Sequence, residues 1–147
     1  MHLTLHADYS LRVLLYLAAR PDRLASTQEL ADAYGISKHH LVRVVQTLAG
    51  EGLVEVRAGR AGGVTLARPP GDILVGRVVR AAEPDFDLVE CFDKARNTCP
   101  IAPACGLKGV LRDAREAFLA VLDRYTLADL VGRSRKDLAD LFLTAAS

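Results

Sequence analysis

The segment STQELADAYGISKHHLVRVVQTLAGEGLVEV, residues 26–56, restricts the fold more than any other part of the chain. Ser26 or Thr27 can cap a short helix, Tyr34-Gly35-Ile36 makes a turn, and Ser37 caps a second helix that ends near Gly50 to Gly52. On the second helix Leu41, Val44, Val45 and Leu48 follow the i, i+3, i+4, i+7 spacing and so face one core. His39, Arg43 and Gln46 fall on the opposite side, with Lys38 and His40 flanking them at the amino-terminal end. Two helices joined by a short glycine turn, the second with a basic outer face, form the helix-turn-helix pattern, in which the second helix enters the DNA major groove. A small helical domain with a merely solvated basic face would share this pattern, so the flanking sequence has to decide.

That flanking sequence is a hairpin. Leu53 to Arg57 and Val64 to Leu66 are β-prone runs separated by AGRAGG, a glycine-rich tip that carries Arg60. Such a wing suits a narrow minor groove, where the negative potential attracts guanidinium and glycine lets the backbone approach. Ser37, Lys38, His39, His40, Arg43, Arg57 and Arg60 are therefore the expected DNA-contacting residues. Lys38, Arg43 and Arg60 carry more weight than the two histidines, which are more often plain surface residues.

Charge supports the division. Net charge is only +1, but Ser37 to Arg68 holds Lys38, Arg43, Arg57, Arg60 and Arg68 against Glu51 and Glu55. From Ala82 to Asp93 the sign reverses, with Glu83, Asp85, Asp87, Glu90 and Asp93 and no Lys or Arg. Ahead of the helix-turn-helix, Asp8 to Ala19 reads as a helix apolar nearly all round, hence central and buried, that stops at Arg20-Pro21. Ile73 to Ala82 reads as a further amphipathic helix. After residue 105 a long helix places Leu107, Leu111, Ala114, Phe118, Val121 and Tyr125 at alternating steps of four and three, an a/d seam that can pack within the chain or on a second copy. Dimerisation is favoured because a two-fold dimer reads two half-sites about 10 bp apart. Thr126 then caps a short tail, TLADLV.

The expected fold is mainly α, a winged helix-turn-helix DNA-binding domain with a long C-terminal dimerisation helix. Residues 1–82 form the DNA-binding domain, 83–105 a cysteine-bearing loop, and 106–147 the dimerisation helix and tail. No apolar run approaches the roughly 20 residues of a membrane span, and MHLTLHADYS lacks the features of a signal peptide, which points to the cytoplasm. Neither a nucleophile–base constellation nor a phosphate-binding loop is found, so an enzyme is not expected.

Every cysteine lies in CFDKARNTCPIAPAC, as Cys91-x7-Cys99-x5-Cys105, with Pro100 and Pro103 expected to hold the chain extended. The spacing matches neither paired C-x2-C zinc knuckles nor a C-x-x-C redox pair. An odd count in a reducing compartment argues against a disulfide framework. Three thiolates could hold corners of an iron–sulfur cluster, or could remain three unligated thiols; the spacing alone leaves both open.

The combination resembles the Rrf2 family of bacterial winged-helix regulators, and within it the nitric-oxide-sensing members. The likeness runs from MHLTLHADYSLRVLLYLA through the wing VRAGRAGGVTLARP to VECF and CPIAPACGLKGVLRDAREAFLAVLDRYTLADL. The resemblance implies a homodimeric repressor that binds double-stranded operator DNA and holds a [4Fe-4S] cluster on Cys91, Cys99 and Cys105. A [2Fe-2S] form, or no cluster in an apo sample, is the alternative. It further implies Asp8 of the partner subunit as fourth ligand, Arg12 as an electrostatic partner of the cluster or its loop, and nitric oxide as the signal that releases DNA. Seven residues separate the first two cysteines where family members often have five, and Lys108 stands where a relative sensing iron–sulfur supply has a histidine. Sensing of iron–sulfur or redox status, or thiol sensing without a cluster, are the competing expectations.

Overall fold

The structure, a computed structural model, describes residues 2–132 and 134–145. Its centre is helix α1, Leu5–Ala19, in which Val13, Leu14, Tyr16 and Leu17 are buried. The helix begins three residues before the expected Asp8, because Thr4 Oγ1 accepts a hydrogen bond from the backbone N–H of Ala7 at 3.1 Å and so caps the first turn. It stops at Ala19, just ahead of Arg20 and Pro21, as expected.

Helix α2, Thr27–Tyr34, and helix α3, Lys38–Gly50, form the helix-turn-helix. Ser26 caps α2 by accepting from Glu29 N–H, and Ser37 caps α3 by accepting from His40 N–H. Between them Gly35 takes φ +62°, a left-handed conformation that a side chain disfavours and glycine accepts. Leu41, Val44, Val45 and Leu48 of α3 are buried, as their spacing requires. Strands β1, Val54–Arg57, and β2, Gly63–Leu66, pair antiparallel with Val54 opposite Leu66 and Arg57 opposite Gly63. Val64 also pairs with Ala25, which ties the wing to the segment before α2.

Helix α4, Val75–Ala82, starts two residues later than Ile73. A short 3-10 turn over Pro70–Asp72 precedes it, and Ile73 and Leu74 are held extended by pairing of Leu74 with Thr126. Helix α5, Gly106–Leu122, ends before Tyr125, so the last expected seam position falls outside the helix; Tyr125 instead gives its carbonyl to Val75 N–H at 2.9 Å. Arg80 of α4 grips Asp123, just past α5, through two 2.6 Å hydrogen bonds, which holds the Asp123 carboxyl below the usual aspartate range. A Cβ on Gly76 would lie 2.0 Å from Asp123 Oδ1, so a side chain there would displace the Arg80–Asp123 pair from its place. Helix α6, Leu127–Val131, is capped by a reciprocal Thr126–Asp129 pair.

Beyond it, the stretch read from sequence as a tail contains helix α7, Arg135–Ala145, which packs on α1 and α2. Phe142 sits between the rings of Tyr16 and Tyr34, with centroid distances of 4.7 Å and 5.4 Å. Tyr16 donates to Glu29 Oε1 at 2.5 Å and accepts from Arg20 at 2.8 Å; burial, with help from Glu29, pushes its phenol up to about 12. Arg20 also donates to the Ala139 carbonyl of α7 at 3.0 Å. Aromatic packing of this kind predicts that Phe142→Ala leaves a cavity and costs about 3 kcal/mol, read as a lower midpoint in urea unfolding.

Candidate DNA interface and thiol segment

Helix α3 turns its apolar stripe inward, so its other side is presented to solvent. Lys38, His39, His40, Arg43 and Gln46 are all exposed. Among the described residues, neither Lys38 nor Arg43 forms an ion pair, which leaves both cations available to phosphate or base edges. Ser37 is exposed too, but its hydroxyl oxygen is committed as an acceptor to the His40 N–H at 3.3 Å.

The wing is shaped by its glycines. Gly59 adopts φ +100°, and a Cβ on Gly62 would come within 2.1 Å of the Arg57 carbonyl. The turn therefore closes only with glycine there, and it leaves Arg57 and Arg60 exposed with no ion-pair partner among the described residues. Arg68 behaves differently from the other basic residues of this half. Its Nε donates to the Gly52 carbonyl at 3.1 Å, while Arg77 of α4 donates to the Glu51 carbonyl at 3.2 Å. Both cations brace the turn that follows α3, where helix carbonyls lack partners. Nothing local in the sequence marks that role, because it depends on the ends of β2 and α4 returning to the turn after α3.

The three thiols lie between α4 and α5. Cys91 is buried in a 3-10 turn over Glu90–Phe92, Cys99 is partly exposed, and Cys105 occupies the N-cap of α5 without a side-chain capping bond. None forms a disulfide. The loop is not extended throughout as Pro100 and Pro103 suggested. Pro103 lies within a second 3-10 turn, Ala102–Ala104, whose φ matches the angle its ring imposes. Arg115 of α5 lies 4.9 Å above the Phe92 ring, fixing the residue next to Cys91 against the helix.

As a donor set, three unpaired thiols on one segment suit iron, which takes thiolate ligands. Within one chain, however, no three His, Cys, Asp or Glu side chains among the described residues are grouped closely enough to hold a metal ion. Asp8 is held elsewhere. Arg12 reaches it through Nη2–Oδ2 at 2.7 Å and Nε–Oδ1 at 3.1 Å, one turn along α1. Arg12, expected to face the cluster or its loop, thus pairs with Asp8 and also lies against the rings of Tyr9 and Tyr34. Tyr34 at the end of α2 donates its hydroxyl to the Arg12 carbonyl at 2.8 Å, so the Asp8–Arg12 pair is one bond away from the helix-turn-helix.

Helix α5 leaves an apolar face uncovered within the chain. Leu119 is its one buried residue, whereas Leu107, Val110, Phe118 and Val121 are 61%, 64%, 37% and 43% exposed. No helix among the described residues is long and apolar enough to cross a membrane.

A winged helix-turn-helix with an exposed basic face on its second helix is the architecture of a DNA-binding transcriptional regulator. The chain belongs to the Rrf2 family: the family described as "Iron-dependent Transcriptional regulator" matches residues 3–133. It is 51% identical over 142 residues to the HTH-type transcriptional regulator NsrR of Bacillus subtilis (strain 168), covering 96% of this chain and 97% of that protein. Another regulator named NsrR, from Shouchella clausii, is 50% identical over 132 residues, or 89% of each chain. Among solved structures, T. potens IscR superposes with a TM-score of 0.74 at 26% identity, covering 93% of this chain and 90% of that one. CymR, the global cysteine regulator of B. subtilis, superposes at 0.70 and 26% identity over 88% and 95%.

Because Arg43 is unpaired on the outer face, Arg43→Ala should cost roughly 1–3 kcal/mol of operator affinity and relax specificity at one base position. Quantitative binding to a panel of single-base variants checks this. An equal loss on every sequence would make Arg43 a phosphate contact.

Proposed function

We propose that the protein is a homodimeric repressor that holds operator DNA while an iron–sulfur cluster is intact and releases it when nitric oxide attacks that cluster. The observation that carries this reading is the set of three unpaired thiols confined to one segment between the winged domain and α5. Similarity to regulators named NsrR, and membership of a family described as iron-dependent, support it. Cys91, Cys99 and Cys105 would hold a [4Fe-4S] cluster, and Asp8 from the partner subunit would supply the fourth ligand. When bound, the cluster supplies an oxygen-ligated iron, more exchangeable than a thiolate-ligated one, at which a small molecule can bind.

The chain's own residues account for the coupling. Both Asp8 oxygens accept from Arg12, so a carboxylate that also served as an iron ligand would share its charge with iron and weaken that pair. Arg12 is tied through its carbonyl to Tyr34, the last residue of α2 before the Gly35 turn. A change in how firmly Arg12 holds Asp8 would therefore bear on the position of the helix-turn-helix without altering any base-reading side chain. The uncovered α5 face supports assembly of two copies, which would set the spacing of the two recognition helices.

Two tests follow. Phe118→Asp places a charge on that face and should convert the dimer to monomer in sedimentation velocity; an unchanged dimer would remove α5 from the interface. Anaerobically reconstituted protein should be brown, with about four irons per chain, and should bleach on nitric oxide titration as operator binding falls. Asp8→Ala should still assemble cluster but lose the link between bleaching and DNA release. Colourless, iron-free protein after reconstitution would turn the reading to thiol sensing.

A further inference from the structure

Beside the reading face lies an open groove of about 500 Å3 between the first turns of α1 and helix α3. Its walls include His6 and Tyr9 of α1 and His40, Arg43, Gln46 and Thr47 of α3, and none of its lining residues is acidic. His6 Nε2 meets Thr47 Oγ1 at 3.1 Å, which joins the two walls at one end. The Tyr9 ring stands 6.3 Å from His40 and is backed by the Arg12 guanidinium at 5.8 Å. The Tyr9 hydroxyl, the Arg43 guanidinium and the Gln46 amide make no hydrogen bond with any other described residue. Donor groups thus converge on a cleft that holds no acid to satisfy them.

Arg43 and Gln46 belong both to this groove and to the outer face of α3, so the two surfaces are continuous. A helix about 10–12 Å across fills a major groove about 12 Å wide, which brings a sugar-phosphate strand alongside the helix. Tyrosine hydroxyls are common donors to such strands, and contacts of this kind fix register without reading sequence. We propose that the amino-terminal turn of α1, through His6 and Tyr9, forms the second wall of a seat for one DNA backbone strand, with Tyr9 Oη donating to a phosphate oxygen. The proposal rests on the DNA-binding reading and extends the interface from α3 and the wing to α1. It also places a DNA contact one residue from Asp8, on the same helical turn as the Asp8–Arg12 pair.

The test uses the full-length protein, purified anaerobically, with two duplexes of about 30 bp, long enough for two half-sites. One is selected from a random pool by the wild-type protein, and the other is its scrambled counterpart. Tyr9→Phe keeps the ring and removes only the hydroxyl. It should weaken binding to both duplexes by about three- to tenfold, leaving the preference between them and the salt dependence unchanged. His6→Glu should weaken both further, with the loss growing as salt is lowered. Wild-type affinity in both variants would overturn the assignment, as would a Tyr9→Phe loss confined to the selected duplex. So would His6→Glu dissociating the dimer at unchanged monomer affinity, which would mean that an acidic segment of the partner occupies the groove. If the wild-type protein selects no duplex at all, the DNA-binding reading itself fails. Selection by wild type with unaffected variants sinks only the role of α1.

Discussion

Burial of α1 is the constraint on which the rest of the molecule depends. Its sides meet α3, α4, α6, α7 and β2, so each of these elements is positioned by the same apolar cylinder. Val13, Leu14 and Leu17 can leave water only if partners enclose the helix nearly all round, and no single neighbour could do this. The polar groups that α1 retains are therefore conspicuous. Ser10, buried, satisfies itself on the His6 carbonyl at 2.7 Å, while Asp8 and Arg12 satisfy each other at the edge. A helix that is both the packing centre and the carrier of an exchangeable ion pair is well placed to pass a change at its first turn to α2 and α3.

Connections around that helix are few and specific. Tyr34 ties α2 to the Arg12 carbonyl, His6 ties the start of α1 to Thr47 of α3, and Glu83 accepts from Thr4 just ahead of the first turn. Glu83 opens the acidic segment that leads to Cys91, so the thiol segment and the amino end of α1 are already linked within one chain. On the far side, Arg80 and Asp123 lock α4 to the end of α5.

Features set by local chemistry were readable in the sequence. Ser26, Ser37 and Gly35 announced the helix-turn-helix because caps and left-handed turns depend on a few adjacent residues. The wing was equally plain from its glycines and β-branched runs. Three things were not. The early start of α1 rests on a Thr4 cap within MHLTLHAD, where polar and apolar residues alternate and no helical spacing marks a beginning. Helix α7 has weak amphipathicity and owes its packing to Phe142 meeting Tyr16 and Tyr34, residues more than a hundred positions away. The Asp8–Arg12 pair has ordinary i, i+4 spacing, but spacing alone does not say that Arg12 takes both carboxylate oxygens. Of the candidate site, the basic residues of α3 and the wing are exposed as expected, whereas Arg68 and Arg77 serve as braces and the α1 wall of the groove carried no sequence signature.

The central claim is that cluster chemistry moves the recognition helices without altering the side chains that read bases. The most direct measurement is the distance between the two α3 helices of a dimer, by pulsed dipolar spectroscopy with a spin-labelled noncanonical residue at the exposed Val42. It would be recorded on cluster-loaded protein and again after anaerobic removal of the cluster by a chelator. A shifted distance distribution that accompanies loss of operator affinity is the predicted result. An unchanged distribution with the same loss of affinity would contradict the account.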